Sequence, residues 1–132
     1  MAGCGIDDGL GTVHGLWPQW KQYCTTEPFD AANLASIRND LNIYWPTCTG
    51  SRTPSATEGF WNHEWTRHGV CSGMSQLEYF STALSLAKNV RKTCTNFSHS
   101  TNPPECHTCF DVNLQTSEIC SNNVLSAFLS DM

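Results

Sequence analysis

The chain has 132 residues, eight cysteines, only 14% charged residues and a formal net charge of −5. This length fits one domain, residues 1–132, with enough chain to bury a core. No apolar run approaches the ~20 residues that a membrane-spanning helix needs. The acidic balance disfavours a tight, charge-driven nucleic-acid binder, which normally shows a basic face, but it is compatible with an enzyme that binds nucleic acid briefly.

The cysteine content predicts an oxidising compartment, because eight cysteines allow up to four disulfides. The first eight residues, MAGCGIDD, lack a basic region followed by an apolar one, so they are not a signal peptide. We therefore expect a mature or truncated form of a secretory-pathway protein, extracellular or vacuolar. A reduced cytosolic chain is the less favoured alternative. The triplet Asn96–Ser98 is a glycosylation sequon that secretion would make available.

The first half of the chain predicts one strand, one helix and a loop. Residues 10–16 suit a short strand that ends near Gly15 and Pro18. Asp30 is a candidate N-cap for a helix that ends before Trp45 and Pro46. Residues 47–59 are rich in Thr, Ser, Gly and Pro and predict an exposed loop. The apolar positions of the helix recur at spacings of three and four: Leu34, Ile37, Leu41 and Tyr44.

The second half predicts two helices and a hairpin. Residues 60–68 should form a short helix broken by Gly69. Residues 95–108 contain two adjacent prolines and should be loop. Residues 110–114 alternate as a half-buried strand does, with a partner strand through 118–120, and the tail 122–132 stays ambiguous. The predicted class is α+β, with a small antiparallel sheet packed with several helices. The second of the two predicted helices in this half follows Gly69 and is indicated by four apolar residues: Leu77, Phe80, Leu84 and Ala87.

Residues 60–71, FWNHEWTRHGVC, concentrate titratable side chains. On a helix, His63 and Arg67 share one face, and Glu64 and His68 share the adjacent one, so one small anionic group can be reached by all four. Phosphoryl chemistry uses a proton acceptor, a proton donor and cations around the developing charge. Histidine suits the first two roles, and the planar fork of Arg67 suits phosphate oxygens. The cluster therefore predicts acid–base chemistry at a phosphodiester.

A second histidine is required, because His68 alone cannot act on both sides of a phosphorus centre. His14, in the segment HGLWP at 14–18, is the candidate. RNA supplies its own nucleophile, the 2′-hydroxyl, whereas DNA lacks it and should resist. The five histidines would charge near pH 5 and offset most of the net charge, so an acidic optimum is predicted. Four aromatic side chains beside the histidines can stack on bases: Trp17, Phe60, Trp61 and Trp65.

Each of these features also has a purely structural interpretation. A single histidine such as His14 is most often a hydrogen-bonded structural residue, and Glu64 and Arg67 suit an ordinary solvated helix face. Tryptophan is more often a core residue than a base platform, so at least Trp61 or Trp65 should be buried. The pairing of the two segments is what makes the catalytic interpretation the stronger one.

The segments 14–18 and 60–71 resemble the two active-site segments of the ribonuclease T2 family. The similarity runs from about residue 12 to residue 90, includes residues 44–46 and 78–80, and is greatest to the plant members. It implies a disulfide-stapled α+β fold and an endoribonuclease that cleaves single-stranded RNA through a 2′,3′-cyclic phosphate to a 3′-phosphate, with no metal or other cofactor. It also implies that this chain is shortened at its N-terminus, in the 92–108 region and at its C-terminus.

The resemblance implies a role for each matching residue. His68 is the general base on the 2′-hydroxyl, and His14 is the general acid for the leaving 5′-oxygen. His63 binds phosphate, and Glu64 supports the pentavalent transition state. Arg67 stands where the family commonly has lysine, which keeps the charge and changes the geometry.

The resemblance also implies base-binding positions and disulfides. Trp17 and Phe60 line base sites, and Gln19 stands where some members have an aspartate that reads the base, so base preference stays open. Cys24 and Cys71 match a disulfide that would join the two active-site segments. Separately, two cysteines flank the predicted hairpin and form a second candidate pair, Cys109 and Cys120. The pairing of the remaining four stays open: Cys4, Cys48, Cys94 and Cys106.

The favoured interpretation is a monomeric enzyme that cuts RNA, does not cleave DNA and does not bind membranes. Two other functions compete with it. His63, Glu64 and His68 suggest a zinc protease helix, but that motif needs histidines four apart, and here they are five apart and diverge by about 140°. The sequence 106–109, CHTC, is half of a zinc or redox motif, for which disulfide bonding is the better interpretation. The remaining alternative is a catalytically impaired, cysteine-rich secreted binding or defence protein of the same ancestry.

Overall fold

The computed structural model of the chain describes residues 12–47, 53–90, 105–111 and 113–117 and the backbone of 125–130. These residues form an antiparallel sheet with helices packed on it, which confirms the predicted α+β class. The strands are β1 (Thr12–Pro18), β2 (Glu105–Phe110), β3 (Thr116–Ser117) and β4 (Leu125–Ser130). The helices are α1 (Arg38–Tyr44), α2 (Pro54–Arg67) and α3 (Gln76–Val90), with 3₁₀ segments at Ala31–Ile37 and Gly69–Cys71.

Strand β4 lies inside the sheet, whose order is β1-β4-β2-β3. It pairs antiparallel with β1 on one side and with β2 on the other. The tail that the sequence left ambiguous therefore supplies the strand that holds β1 to the rest of the sheet. Strand β3, at Thr116 and Ser117, pairs with the end of β2. The partner strand predicted through 118–120 lies outside the described residues.

Two sequence predictions about loops and strands were wrong. Residues 105–108 belong to β2, not to a loop, and residues 95–104 lie outside the described residues. Of the predicted strand at 110–114, only Phe110 lies in a strand, as the last residue of β2. The chain turns after it, where the Asp111 carboxylate accepts hydrogen bonds from the backbone N–H groups of Asn113 (2.8 Å) and Gln115 (3.1 Å). Leu114 completes the turn with a φ of 62°.

Helix α2 begins six residues before its predicted start, so the assignment of 54–59 to a loop was also wrong. The Thr53 side chain accepts a hydrogen bond from the Ala56 N–H at 3.1 Å, and Pro54 occupies the first helical position. Both are standard helix-start signals. The Asp30 N-cap is confirmed by its 3.0 Å hydrogen bond from the Ala32 N–H, although the helix that follows opens with 3₁₀ turns.

The core lies between the sheet and the helices and is rich in aromatic rings. Three of them also make hydrogen bonds: Trp61 Nε1 donates to the Trp45 carbonyl (2.8 Å), Trp65 Nε1 to the Glu27 carbonyl (3.0 Å), and Tyr79 Oη to the Leu16 carbonyl (2.7 Å). The last bond fixes α3 to β1. None of the helices in the described residues is long and apolar enough to cross a membrane. The largest fully buried apolar side chains in the described part of the chain are Leu16, Leu34, Leu41, Trp45, Trp61, Trp65, Tyr79 and Phe80.

Candidate active site

Strand β1 carries His14 at an irregular point of the sheet. Val13 pairs with Leu129 and Gly15 pairs with Phe128, so His14 is the extra residue of a β-bulge. A bulge re-aims the side chain of the residue that it inserts, and bulges are common next to active sites. The His14 ring lies edge-on to Phe60, with ring centroids 5.9 Å apart, so the bulge brings this histidine to helix α2.

His68 lies at the C-terminus of α2, next to strand β1 of the sheet. His68 is the C-cap of the helix, with φ −115° and ψ −49°, and its N–H still bonds to the Glu64 carbonyl at 2.9 Å. Only 2% of His68 is exposed. Its buried Nδ1 atom has no hydrogen-bond partner among the described residues. Gly69 follows, where an added Cβ would collide with the rings of Trp65 and Tyr79, so the chain can turn there only as glycine.

Trp17 links the two active-site segments. Its ring stacks on His68, with centroids 4.6 Å apart and an interplanar angle of 14°. The same ring meets the edge of His14 at 5.4 Å. Its Nε1 atom donates a hydrogen bond of 2.7 Å to Oε2 of Glu64. One side chain of β1 therefore contacts both candidate proton carriers and the candidate acidic residue.

Glu64 is deeply buried, with 1% of its surface exposed. The sequence predicts that one anion can be reached by all four side chains at positions 63, 64, 67 and 68. Because Glu64 is buried, only the stripe of His63 and Arg67 lies toward the outside: His63 is exposed and Arg67 is half-buried. Burial, and after it the negative charge of Glu64, raises the pKa of Tyr79 well above its ordinary value. Tyr79 therefore stays a neutral hydrogen-bond donor to β1.

The segment after β1 folds against the end of α2. The Tyr23 N–H donates to the Arg67 carbonyl at 2.9 Å, and Gln22 Oε1 accepts from Arg67 Nε at 3.1 Å. The Cys24–Cys71 disulfide is present, so the link implied between the two active-site segments is confirmed. Gln22 is a site residue that the sequence analysis missed, because nothing local distinguishes it from any other exposed glutamine.

An open cavity of about 490 Å³ lies beside His68, within the size range of small-ligand sites. Gln19, at the base-reading position implied by the resemblance, lies in its wall and donates through Nε2 to the Trp17 carbonyl at 3.0 Å. Trp17 also borders this cavity, whereas Trp61 and Trp65 are buried in the core and have no surface for a base. The full lining is Trp17, Pro18, Gln19, Trp20, Lys21, Gln22 and His68.

Burial and neighbouring cations keep His68 neutral. Desolvation, followed by the positive charges of Arg67, His63 and His14, lowers the pKa of His68 from 6.5 to about 3. All three cationic side chains are therefore close enough to act electrostatically on His68. An imidazole that stays unprotonated at pH 5 is available as a proton acceptor in acid, where most histidines are charged.

The lowered pKa of His68 predicts acid-sensitive folding. The unfolded chain binds a proton at this residue below about pH 6.5, whereas the folded chain does so only below about pH 3. Stability is therefore lost on acidification across this window, by up to ~1.4 kcal/mol per pH unit. Urea unfolding at pH 7.0 and 4.5 should show a loss about 2–3 kcal/mol larger for the parent protein than for His68→Gln. Equal losses in the two proteins would contradict a buried neutral His68.

The structure gives no support to a cysteine-ligated metal centre at 106–109, because Cys106 and Cys109 are both disulfide-bonded. Cys120, the partner predicted for Cys109, lies outside the described residues, as do Cys4, Cys48 and Cys94. Within the described ranges no group of three or more His, Cys, Asp or Glu side chains is placed to hold a metal ion.

The chain is similar to curated ribonucleases over the part that carries this site. Ribonuclease 1 of Arabidopsis thaliana is 40% identical over 83 residues, which cover 56% of this chain and 35% of that protein. Ribonuclease T2 of Sus scrofa is 34% identical over 90 residues, covering 64% of this chain and 44% of that protein. The chain thus spans less than half the length of these two relatives.

Solved structures show the same fold at low sequence identity. Human RNase T2 superposes with a TM-score of 0.60 at 20% identity, covering 95% of this chain and 73% of that one. Ribonuclease MC1 from bitter gourd seeds has a TM-score of 0.55 at 23% identity, covering 89% and 71%. The sequence model described as the Ribonuclease T2 family matches residues 9–119, a span that contains both active-site segments and their disulfide. The chain belongs to the ribonuclease T2 family.

Proposed function

We propose that the protein is an endoribonuclease that cleaves single-stranded RNA without a metal ion. The observation that carries this proposal is the state of His68, which is buried, neutral in acid and within electrostatic reach of His14, His63 and Arg67. A neutral imidazole beside several cationic groups supplies the proton acceptor, the proton donor and the anion-binding charges that phosphodiester cleavage requires.

In the proposed first step, His68 removes the proton of the RNA 2′-hydroxyl and the 2′-oxygen attacks phosphorus. The bond from phosphorus to the 5′-oxygen breaks, and His14 donates its proton to that oxygen, which leaves as a 5′-hydroxyl. The product is a 2′,3′-cyclic phosphate. In the second step His14 takes a proton from water, the hydroxide attacks phosphorus, and His68 returns its proton to the 2′-oxygen. A 3′-phosphate results, and both histidines regain their starting states.

His63 and Arg67 are the proposed phosphate-binding pair. His63 is exposed on α2 and Arg67 is half-buried one turn later, so both can reach a phosphate that lies over the end of the helix. Gln22 accepts from Nε of Arg67, which directs phosphate binding to the terminal guanidinium nitrogens. A lysine at this position would lack the Nε–H that Gln22 holds.

The proposed base sites lie on either side of the histidines. Phe60 is half-buried and touches the His14 ring. Trp17 borders the cavity beside His68, although His68 stacks on its ring. Gln19 offers a neutral amide in the same cavity wall, which can both donate and accept hydrogen bonds. We propose a weaker base preference than a carboxylate at this position would give.

The proposed setting is the secretory pathway, with an extracellular or vacuolar destination and a monomeric enzyme. The disulfide bonding of Cys24, Cys71, Cys106 and Cys109 supports an oxidising compartment. The neutral state of His68 in acid also suits the low pH of a vacuole. Asn96, the proposed glycan site, lies outside the described residues.

Incubation with RNA and DNA of equal length at pH 5, in the presence of EDTA, tests the proposed function. We expect RNA to be cut with 2′,3′-cyclic phosphate ends that convert slowly to 3′-phosphates, and DNA to stay intact, because only RNA carries the 2′-hydroxyl. Phosphorus NMR or mass spectrometry of the fragments identifies the ends. Cleavage of both polymers, or inhibition by EDTA, would contradict the proposal. Absence of cleavage at pH 4–7 would leave the catalytically impaired binding or defence protein as the better hypothesis.

A further inference from the structure

We propose that Glu64 is a positioning residue, which acts through the indole of Trp17 to hold the His68 ring in place. The proposal rests on the proposed ribonuclease function, since it assigns how the candidate base is oriented. It departs from the role implied by the resemblance, in which the carboxylate supports the transition state directly.

Burial separates Glu64 from any substrate. Glu64 has 1% of its surface exposed and, unlike His68, does not line the cavity, so its side chain has no opening through which to touch a phosphate. A buried carboxylate needs hydrogen-bond donors, and Trp17 Nε1 is one of them, at 2.7 Å from Oε2. A charge-assisted hydrogen bond of this length between two well-packed groups is a strong and directional restraint. It spans 47 residues of sequence and ties β1 to α2.

The backbone of β1 is shaped around this bond. At Gly15 an added Cβ would collide with Trp17 Nε1 and with Glu64 Oε2, the two atoms of the bond. The strand can therefore approach the pair closely only because residue 15 has no side chain. The side chains of Trp17 and Glu64 are therefore confined by the backbone of β1 as well as by their own hydrogen bond, which makes this contact a specific feature of the fold.

The restraint on Trp17 passes to His68 by stacking. The two rings are nearly parallel, 14° apart, with centroids 4.6 Å from each other. His68 Nδ1, where a catalytic histidine is often held by a carboxylate or a carbonyl, has no hydrogen-bond partner among the described residues. The stack takes the place of that hydrogen bond. Glu64 thus orients the base through one intermediate, Trp17, and is the first member of the chain Glu64–Trp17–His68.

Glu64→Gln separates this proposal from a direct electrostatic role. Glutamine keeps an oxygen that accepts the indole N–H but has no charge for a transition state. We expect kcat to fall by less than about tenfold, since a neutral hydrogen bond is weaker than a charge-assisted one. Glu64→Met and Trp17→Phe both remove the bond and should each lower kcat by about 10²-fold, with little change in KM, because the base is misplaced. The double variant should be no worse than either single one.

A structural measurement keeps the test independent of activity. In histidine-labelled protein the ring protons of His68 should show the ring-current shift of a stacked indole. We expect the parent protein and Glu64→Gln to keep this shift, and Glu64→Met, which keeps the indole but removes its hydrogen-bond acceptor, to lose it. Trp61→Phe, which removes a buried indole N–H from the Trp45 carbonyl instead, is the matched control and should keep both the shift and kcat.

The outcomes are distinct for the two proposals. If Glu64→Gln loses as much kcat as Glu64→Met, or if Glu64→Met keeps the His68 shift, the positioning role is overturned. If the parent protein cleaves no RNA, the proposed function fails while the NMR comparison still decides whether Glu64 and Trp17 hold His68. Should Glu64→Met not fold, the comparison of Glu64→Gln with Trp17→Phe carries the test.

Discussion

His68→Ala is expected to lower kcat for RNA cleavage by about 10²-fold to 10⁴-fold at pH 5, the usual loss when a general acid–base residue is removed. The side chain is the proposed acceptor of the 2′-hydroxyl proton, and its pKa of about 3 keeps it unprotonated at that pH. The acid limb of the parent pH–rate profile should accordingly fall near pH 3. In the alanine variant that limb should vanish, and added imidazole should restore part of the rate.

His14→Ala is the partner variant, and it distinguishes the proposed role of His14 from that of His68. A uridine 3′-phosphodiester with a p-nitrophenol leaving group needs no general acid, because nitrophenolate departs without a proton. We expect His14→Ala to be severely impaired on RNA and close to the parent protein on this activated substrate. His68→Ala should be impaired on both. The reverse pattern would exchange the two roles, and equal loss on both substrates for both variants would refute the division into acid and base.

Removal of the Cys24–Cys71 disulfide is expected to cost about 4 kcal/mol of folding free energy. The bridge closes a loop with a sequence separation of 47 residues, and the chain-entropy model assigns that value to a loop of this length. The double variant Cys24→Ala, Cys71→Ala removes the bridge without leaving a thiol. Urea unfolding at pH 7, with the slope compared as well as the midpoint, measures the loss.

Activity should suffer less than stability in the same variant. Three hydrogen bonds still hold the segment after β1 to the end of α2: Tyr23 N–H to the Arg67 carbonyl (2.9 Å), Arg67 Nε to Gln22 (3.1 Å) and Trp20 Nε1 to the Cys71 carbonyl (3.0 Å). We expect kcat at 15 °C, well below the unfolding transition, to stay within about tenfold of the parent value, since the site geometry is retained. A stability loss below about 1 kcal/mol would show that the unfolded chain is already compact without the bridge.

Local signals account for the elements that the sequence predicted correctly. The Asp30 cap and the apolar spacing of Leu34 and Leu41 identify a helix because caps and periodicity act within one or two turns. The start of α2 was missed although Thr53 and Pro54 carry a cap and a first-turn proline. The turn-forming composition of 47–59 outweighed them in the prediction. The misplaced strand has a similar cause, since alternation at 110–114 gave no hint that Asp111 would cap a turn.

Local sequence patterns could not predict how the side chains of the candidate site are arranged. Helical spacing placed Glu64 and His68 on one stripe, but spacing cannot say that this stripe faces inward. Strand β1, which lies nearly fifty residues earlier in the chain, brings Trp17 onto both residues. Burial, the largest cause of the lowered pKa of His68, therefore depends on contacts that local spacing does not show. The sequence demanded a second histidine on chemical grounds and offered His14 as the candidate, and the resemblance implied the same residue. Neither could supply the bulge that turns His14 toward Phe60.

The pairing of β1 with β4 has a consequence for folding kinetics. Thr12 pairs with Ser130 and Pro18 with Leu125, so the strand that bears His14 is secured by residues at the far end of the described chain. Contacts between such distant residues raise the contact order, and proteins with high contact order fold slowly because a long loop must close first. Helix α2 and its histidines can form from neighbouring residues, whereas β1 can join the sheet only after that closure. His14 and His68 should therefore meet late in folding, after helix α2 has formed.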